Sequence, residues 1–141
     1  MFESLTPHTK DKRPFLKVRI GNESNGKFLD VQDAIWDTGA TQTCISKDVA
    51  EALELQMHGK GYATTANGDA SFSTAHCVII MPDNGCFELT QVLVNLSTSL
   101  KEHMLIGQDI MQHGLTMVDV VKDKDNKLFT RLRFIPNQER K

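Results

Sequence analysis

The sequence predicts an all-β fold with one or two short helices. Three observations predict it. Apolar residues fall in runs of strand length, alternating with polar ones as in Phe15-Leu16-Lys17-Val18-Arg19-Ile20, or continuous as in Val78-Ile79-Ile80-Met81. Compact turn signals separate these runs: Gly21-Asn22-Glu23-Ser24-Asn25-Gly26, Asn67-Gly68, Pro82-Asp83-Asn84-Gly85 and the charged stretch Lys122 to Lys127. Helical spacing appears in only two short places.

In chain order, residues 1–13 are polar with mixed charge and read as a flexible arm. Phe15 to Ile20 is a strand with Lys17 and Arg19 between its apolar positions, and Lys27 to Trp36 returns as one or two strands. Thr41-Gln42-Thr43-Cys44-Ile45-Ser46 has strand character, and from Ser46 to Leu55 the period changes. There Val49, Ala52 and Leu53 share a helical face and Ser46 is placed as N-cap. Gly59 and Gly61 break the chain. Tyr62 to Thr74 is polar and threonine-rich around Asn67-Gly68, a strong hairpin signal because both residues accept positive φ. Val78 to Met81 and Phe87 to Val94 follow as strands, Gln108 to His113 as a short helix stopped by Gly114. Thr116 to Val121 and Leu128 to Phe134 make a last hairpin, for a total of about nine strands. Residues 137–141 read as a loose tail, which leaves 14–136 as one domain.

The chain has 141 residues, enough for a core that folds alone. A net charge of −2, with 24% charged and 40% hydrophobic residues, is that of an ordinary globular protein and calls for neither nucleic acid nor a membrane surface. The N-terminal segment lacks the apolar region of a signal peptide, and no apolar run reaches membrane-spanning length. Cys44, Cys77 and Cys86 are odd in number and lack metal-ligand spacing, so the expectation is reduced thiols in the cytoplasm.

The stretch richest in chemistry is Asp37-Thr38-Gly39-Ala40, delivered by the apolar segment Ala34-Ile35-Trp36, with Leu105-Ile106-Gly107 far downstream ahead of a helix. Hydrolysis of a peptide bond without a metal or covalent nucleophile needs a general base for the water and a general acid near the carbonyl oxygen. Two carboxylates sharing one proton supply both. This chain carries one such Asp motif, so a two-fold axis must supply the second Asp37. Gly39 and Ala40 are small enough for close backbone approach, and the Thr38 hydroxyl can bond a partner loop. Other candidates fall away. His8, His58, His76, His103 and His113 never reach metal-ligand spacing, and no cofactor motif is present. Asp123, Asp125 and Asn126 lack the Gly and terminal Glu of a calcium loop, those places holding Leu128 and Phe134. The acceptor patterns at Asn22 and Asn95 are idle in a cytoplasmic chain.

On these residues the chain resembles the retropepsin-like aspartic peptidases over most of its length. Residues 13–21 resemble the opening strand of the viral enzymes, Ala34 to Ala40 their active-site strand and loop, and Leu105-Ile106-Gly107 the apolar-apolar-Gly that supports that loop. Asn67-Gly68 falls where the family places the tip of its flap, here Thr64-Thr65-Ala66-Asn67-Gly68. The resemblance implies a small closed antiparallel β-barrel active as a homodimer, with an extended peptide or protein substrate held between flap and floor. It also puts Thr41, Gln42 and Cys44 just past the catalytic loop, where they could contact substrate, although core packing is the usual fate of a Cys.

The chain departs from the viral pattern in several ways. The flap tip is poorer in glycine and more polar. The acidic residues after the Ala and the Arg after the downstream Gly are replaced by Thr41, Gln42 and Gln108, so both signs are lost together. Trp36 is bulky for its place, and a whole extra hairpin follows the helix, which suggests a larger interface. The chain begins with Met1, so it need not be cut from a polyprotein. The expected activity is aspartic endopeptidase, with a non-catalytic peptide-binding or scaffolding dimer as the alternative.

Overall fold

The computed structural model describes residues 1–8, 13–65, 68–96 and 102–137. Strands β1 (Phe2–Pro7), β2 (Phe15–Asn22) and β3 (Lys27–Trp36) are followed by β4 (Cys44–Ser46), helix α1 (Lys47–Ala52), β5 (Met57–Thr65), β6 (Gly68–Ile80) and β7 (Cys86–Asn95). Then come β8 (Met104–Ile106), helix α2 (Gln108–Met111), β9 (Gly114–Lys122) and β10 (Leu128–Pro136). Among the described residues no helix is long and apolar enough to cross a membrane.

The alternation in β2 does what the pattern predicts: Leu16, Val18 and Ile20 are buried and Lys17 and Arg19 are exposed. The Asn22 amide oxygen accepts from the Ser24 amide at 3.1 Å. Gly26 at φ +71° then completes the turn into β3. Strand β3 ends in Ala34, Ile35 and Trp36, all buried, so its last residues are anchored in the core and the next residue emerges at a fixed place.

Six strands close a barrel in the order β2-β3-β8-β4-β7-β6, with β6 returning to β2 through Arg19↔Ile80, Ile20↔Ile79 and Gly21↔Val78. Most pairs are antiparallel, but β3–β8 and β4–β7 are short parallel pairs. That arrangement sets β8 between the strand that precedes Asp37 and the strand that follows it. The hairpin β5–β6 is tied to the barrel at its base. Gly68 to Ala70 pair with β5 alone, while Phe72 onward also pairs with β7. Helix α1 starts as expected, the Val49 amide donating to Ser46 Oγ at 3.3 Å. Its buried residues are Val49 and Ala50, with Leu53 just beyond, whereas Ala52 is exposed.

The last hairpin, β9–β10, forms a separate three-stranded sheet in the order β1-β10-β9. Residues 2–7 were expected within a flexible arm; instead they are strand β1, paired with β10 from Phe2↔Phe134 to Pro7↔Phe129. Only one large apolar residue, Phe2, points inward from β1. Ser4 and Thr6 share its face and bond β2: Ser4 Oγ donates to the Phe15 carbonyl, and the Phe15 amide donates to Thr6 Oγ1 at 2.9 Å. A strand held by hydroxyls shows no hydrophobic period, which is why the sequence hides it. In the expected tail, the Asn137 amide donates to the His113 carbonyl at 2.9 Å, and residues 138–141 lie outside the described residues.

Candidate active site

Asp37 leaves the end of β3, where its amide donates to the Ile106 carbonyl at 3.0 Å. The chain then turns tightly. The Ala40 amide donates to the Asp37 carbonyl at 3.1 Å, and the Gly39 amide donates to Asp37 Oδ1 at 3.0 Å. The carboxylate is half-buried while Thr38 and Gly39 are exposed, so the turn presents one acidic group at the rim of the barrel.

The downstream Leu105-Ile106-Gly107 lies beside this loop. Strand β8 runs parallel to β3 through Ile35↔Leu105 and Trp36↔Ile106. A Cβ on Gly107 would come within 2.7 Å of the Gln42 carbonyl carbon and 2.9 Å of the Ala40 carbonyl oxygen, so backbone of the segment after Asp37 fills the space a side chain would take. Gly39 differs from expectation in this respect. Among the described residues a Cβ there would meet only Asp37 Oδ1, at 3.4 Å, an ordinary contact, so none of them demands glycine.

Gln108 stands where the viral pattern has Arg. Its amide donates to the Ala40 carbonyl at 2.9 Å and its Nε2 to the Thr38 carbonyl at 3.0 Å, so a neutral side chain performs the bracing. Asp109 was not singled out by sequence reasoning, yet it is central. Its Oδ2 accepts from the Thr43 amide at 2.9 Å and its Oδ1 from Thr43 Oγ1 at 2.6 Å. Thr43 Oγ1 in turn accepts from the Gly107 amide at 3.1 Å. The buried Thr43 hydroxyl thus links α2 to both sides of the loop. A Thr three residues after Ala40 and an acid two residues after Gly107 are the signal, readable only once the two segments are known to meet.

Trp36 now has an account. Its ring lies 5.2 Å from Phe134 and 5.9 Å from Phe2, both edge-on, and Phe2 stacks on Phe134 at 5.6 Å. The bulk before Asp37 is a three-ring contact with the second sheet. Such pairs contribute about 0.5–1.5 kcal/mol each beyond burial. Among the described residues the indole Nε1 has no hydrogen-bond partner.

Of the residues placed near substrate, Thr41 is exposed, Gln42 is half-buried, and Cys44 is buried in β4 with Sγ 3.8 Å from the Ile45 carbonyl. Burial pushes the Cys44 thiol up to about 12. Cys77 is also pushed up to about 12, by burial first and by the Asp109 charge second. In the expected flap, Thr64↔Asp69 and Thr65↔Gly68 pair across the hairpin, and Ala66 and Asn67 lie outside the described residues. Two cavities of about 440 and 510 Å³ open elsewhere, one lined by Asn22, His58 and His76, the other by Lys17, Arg19 and Asp30. Neither includes the Asp37 loop.

A six-stranded barrel with one Asp-Thr-Gly turn, braced by an apolar-apolar-Gly strand end, defines a retropepsin-like aspartic protease fold. The family model described as gag-polyprotein putative aspartyl protease matches residues 23–113, well over half of the chain, and the chain belongs to that family. Solved structures agree on the fold. The EIAV protease complexed with the inhibitor HBY-793 is 20% identical with a TM-score of 0.53, covering 74% of this chain and 90% of its own. A retropepsin-like aspartic protease from Rickettsia conorii is 16% identical with a TM-score of 0.51, covering 94% of this chain and 93% of its own. No curated protein matches the chain.

Proposed function

We propose that this protein is a homodimeric aspartic endopeptidase in which Asp37 of each subunit forms the catalytic pair. The observation that carries the reading is the state of the loop: one carboxylate, half-buried on a braced turn, with exposed Thr38 and Gly39 beside it. Asp109, the other acid of this region, commits both oxygens to Thr43 and is not free to act as partner. Half a dyad held this firmly has a function once a second copy completes it.

In the pair, one carboxylate takes a proton from water as the water attacks the peptide carbonyl, and the other, protonated, donates to the carbonyl oxygen. Gly39 leaves the face toward the second loop unobstructed, which gives it the role that packing within the chain does not. Thr38, exposed and held through its carbonyl by Gln108, is placed to bond the opposing loop. The β5–β6 hairpin serves as the flap over an extended peptide, and Thr41 and Gln42 line the floor. The three free cysteines accord with a reducing compartment, and a cytoplasmic location belongs to this reading.

The test is a peptide-library digest at mildly acidic pH with the unmodified chain and with Asp37→Asn. Cleavage blocked by pepstatin and abolished by Asp37→Asn, with the dimer and the melting temperature kept, is the expected result. Cleavage that survives the substitution removes Asp37 from the mechanism. Peptide binding without cleavage by the unmodified chain selects the non-catalytic binding dimer.

A further inference from the structure

Strand β9 is one edge of the three-stranded sheet, β1 being the other; among the described residues β9 pairs with β10 alone. The direction of its backbone groups follows from one neighbouring bond. The Asn137 amide donates to the His113 carbonyl at 2.9 Å, one step beyond the Gly114↔Pro136 pair. Antiparallel bonding alternates, so Leu115, Met117, Asp119 and Val121 bond β10, while Thr116, Val118 and Val120 turn their N–H and C=O groups to the open edge. Edges of native sheets are ordinarily guarded by Pro, bulges or inward-pointing charge. This one presents valines. Val118 and Val120 are 49% and 59% exposed, although they share the inner face of Leu132 and Thr130, which are buried. The one acid in the middle of the strand, Asp119, lies on the opposite face, where Arg131 Nε donates to it at 2.9 Å.

We propose that β9 is the dimerisation edge, pairing antiparallel with β9 of a second copy of this chain about a two-fold axis through Val118. Each copy contributes three strands, and one continuous sheet results. The inference rests on the dimeric reading above and adds where the two copies meet. Val118 is the midpoint of Gly114–Lys122, so this register engages the whole strand. It sets Val118 opposite itself and Thr116 opposite Val120 of the second copy, all with backbone groups turned to the shared edge. A register centred on Asp119 would instead set two carboxylates against each other, which is unfavourable.

The same geometry orients the catalytic loops. Directly opposed residues in a ladder point to the same face, so both barrels stand on one side of the joint sheet. On that side Trp36, which immediately precedes Asp37, packs 5.2 Å from Phe134, and Phe134 is the cross-strand partner of Thr116. Thr116 is two positions from the axis, about 7 Å along the strand. The pairing therefore draws both Asp37 loops toward the axis, over a floor of Val118 and Val120 from both copies. A second copy is the occupant the site requires, because one chain carries one catalytic acid.

The test uses the full chain with Val118→Pro, which removes an N–H that faces the open edge and leaves the bonds to β10 in place; edge strands admit Pro. Sedimentation velocity should show the dissociation constant raised about 100-fold or more, since bonds are lost from both copies and their partners are left unpaired. The circular dichroism spectrum should be unchanged. Because the variant could misfold, a second measurement stands beside it. In a Cys86→Ser background, Val118→Cys should form an intermolecular disulfide under mild oxidation, its opposed Cα atoms lying within bridging range, and Leu5→Cys on β1 should not. A Val118→Pro dimer as tight as the unmodified one, or equal cross-linking at 118 and 5, overturns the interface. So does an unmodified chain that stays monomeric, whether or not it cleaves peptides. A dimer that depends on Val118 but hydrolyses nothing keeps this interface and sinks the peptidase reading alone.

Discussion

Gly107→Ala isolates the brace under the Asp37 loop. Gly107 sits at φ −113° and ψ −169°, extended backbone that alanine adopts freely, so the cost is steric and not conformational. The added Cβ would lie 2.7 Å from the Gln42 carbonyl carbon, 2.8 Å from its oxygen and 2.9 Å from the Ala40 oxygen, all backbone atoms. No rotamer change can relieve contacts with backbone. The loop must move by several tenths of an ångström, and overpacking of this kind costs about 1–3 kcal/mol. The displacement also strains the Gly107 amide bond to Thr43 Oγ1 and the Gln108 amide bond to the Ala40 carbonyl, at about 1 kcal/mol each. The sum is about 3–5 kcal/mol, a large part of the 5–15 kcal/mol that holds a typical domain. Gly39→Ala is the control, since its Cβ would meet only Asp37 Oδ1 at 3.4 Å, and it should cost less than about 1 kcal/mol. Urea unfolding at one fixed protein concentration reads both. A Gly107→Ala midpoint close to that of the unmodified chain, or a larger loss from Gly39→Ala, would refute the reasoning. If Gly39→Ala instead folds normally and loses cleavage, the crowding at Gly39 comes from outside the chain, as the proposed pairing of two loops requires.

Thr43→Val should cost about 2–3 kcal/mol in urea unfolding and lower cleavage, because the Gly107 amide and an Asp109 oxygen lose their partner, while Thr43→Ser should restore most of both. Below pH 9 an alkylating reagent should modify only the exposed Cys86 in the folded chain, since burial holds Cys44 and Cys77 near 12. Mass spectrometry showing two or three adducts without denaturant would contradict that burial. Trp36→Ala should cost about 3–5 kcal/mol through the lost ring contacts, whereas Trp36→Phe should cost far less, since it also removes an indole N–H that has no partner; equal losses in thermal melts would show that the N–H is satisfied.

Much of this was legible in the sequence because local chemistry and global fold agree. The Asp37 loop, Gly107 and the short helix after it are signalled by residue types that few other arrangements need. The alternation of β2 and the turn at 21–26 follow from period and turn chemistry alone. What escaped was long-range or polar. Strand β1 was missed because Ser4 and Thr6 hold it by hydroxyl bonds to Phe15 and not by hydrophobic spacing. Asp109 was missed because its role exists only through Thr43, which lies 66 positions away in sequence. Ala52 was placed on the buried face of a helix too short for its period to be read: in a helix of six residues, Ala50 and Val49 make the contact instead.

Strand β1, Trp36 and Asp109 share one physical theme, the joining of the loop to the second sheet. Trp36 is bulky because the residue before Asp37 must fill the gap between barrel and sheet, where Phe2 and Phe134 meet it. That contact makes the position of Asp37 depend on β1 and β10, which lie at opposite ends of the chain. Thr43 and Asp109 fix the loop from the other side, through α2, whose next element is β9. The loop is thus clamped between two structures that both continue into one sheet. Docking a second copy on the edge of that sheet would therefore set the separation of the two Asp37 carboxylates through rigid contacts on both sides, with little left to the loop itself. If the two copies pair as proposed, the extra hairpin helps to set the separation of the two Asp37 carboxylates, and a change at Val118 should then alter any cleavage through the geometry of the pair.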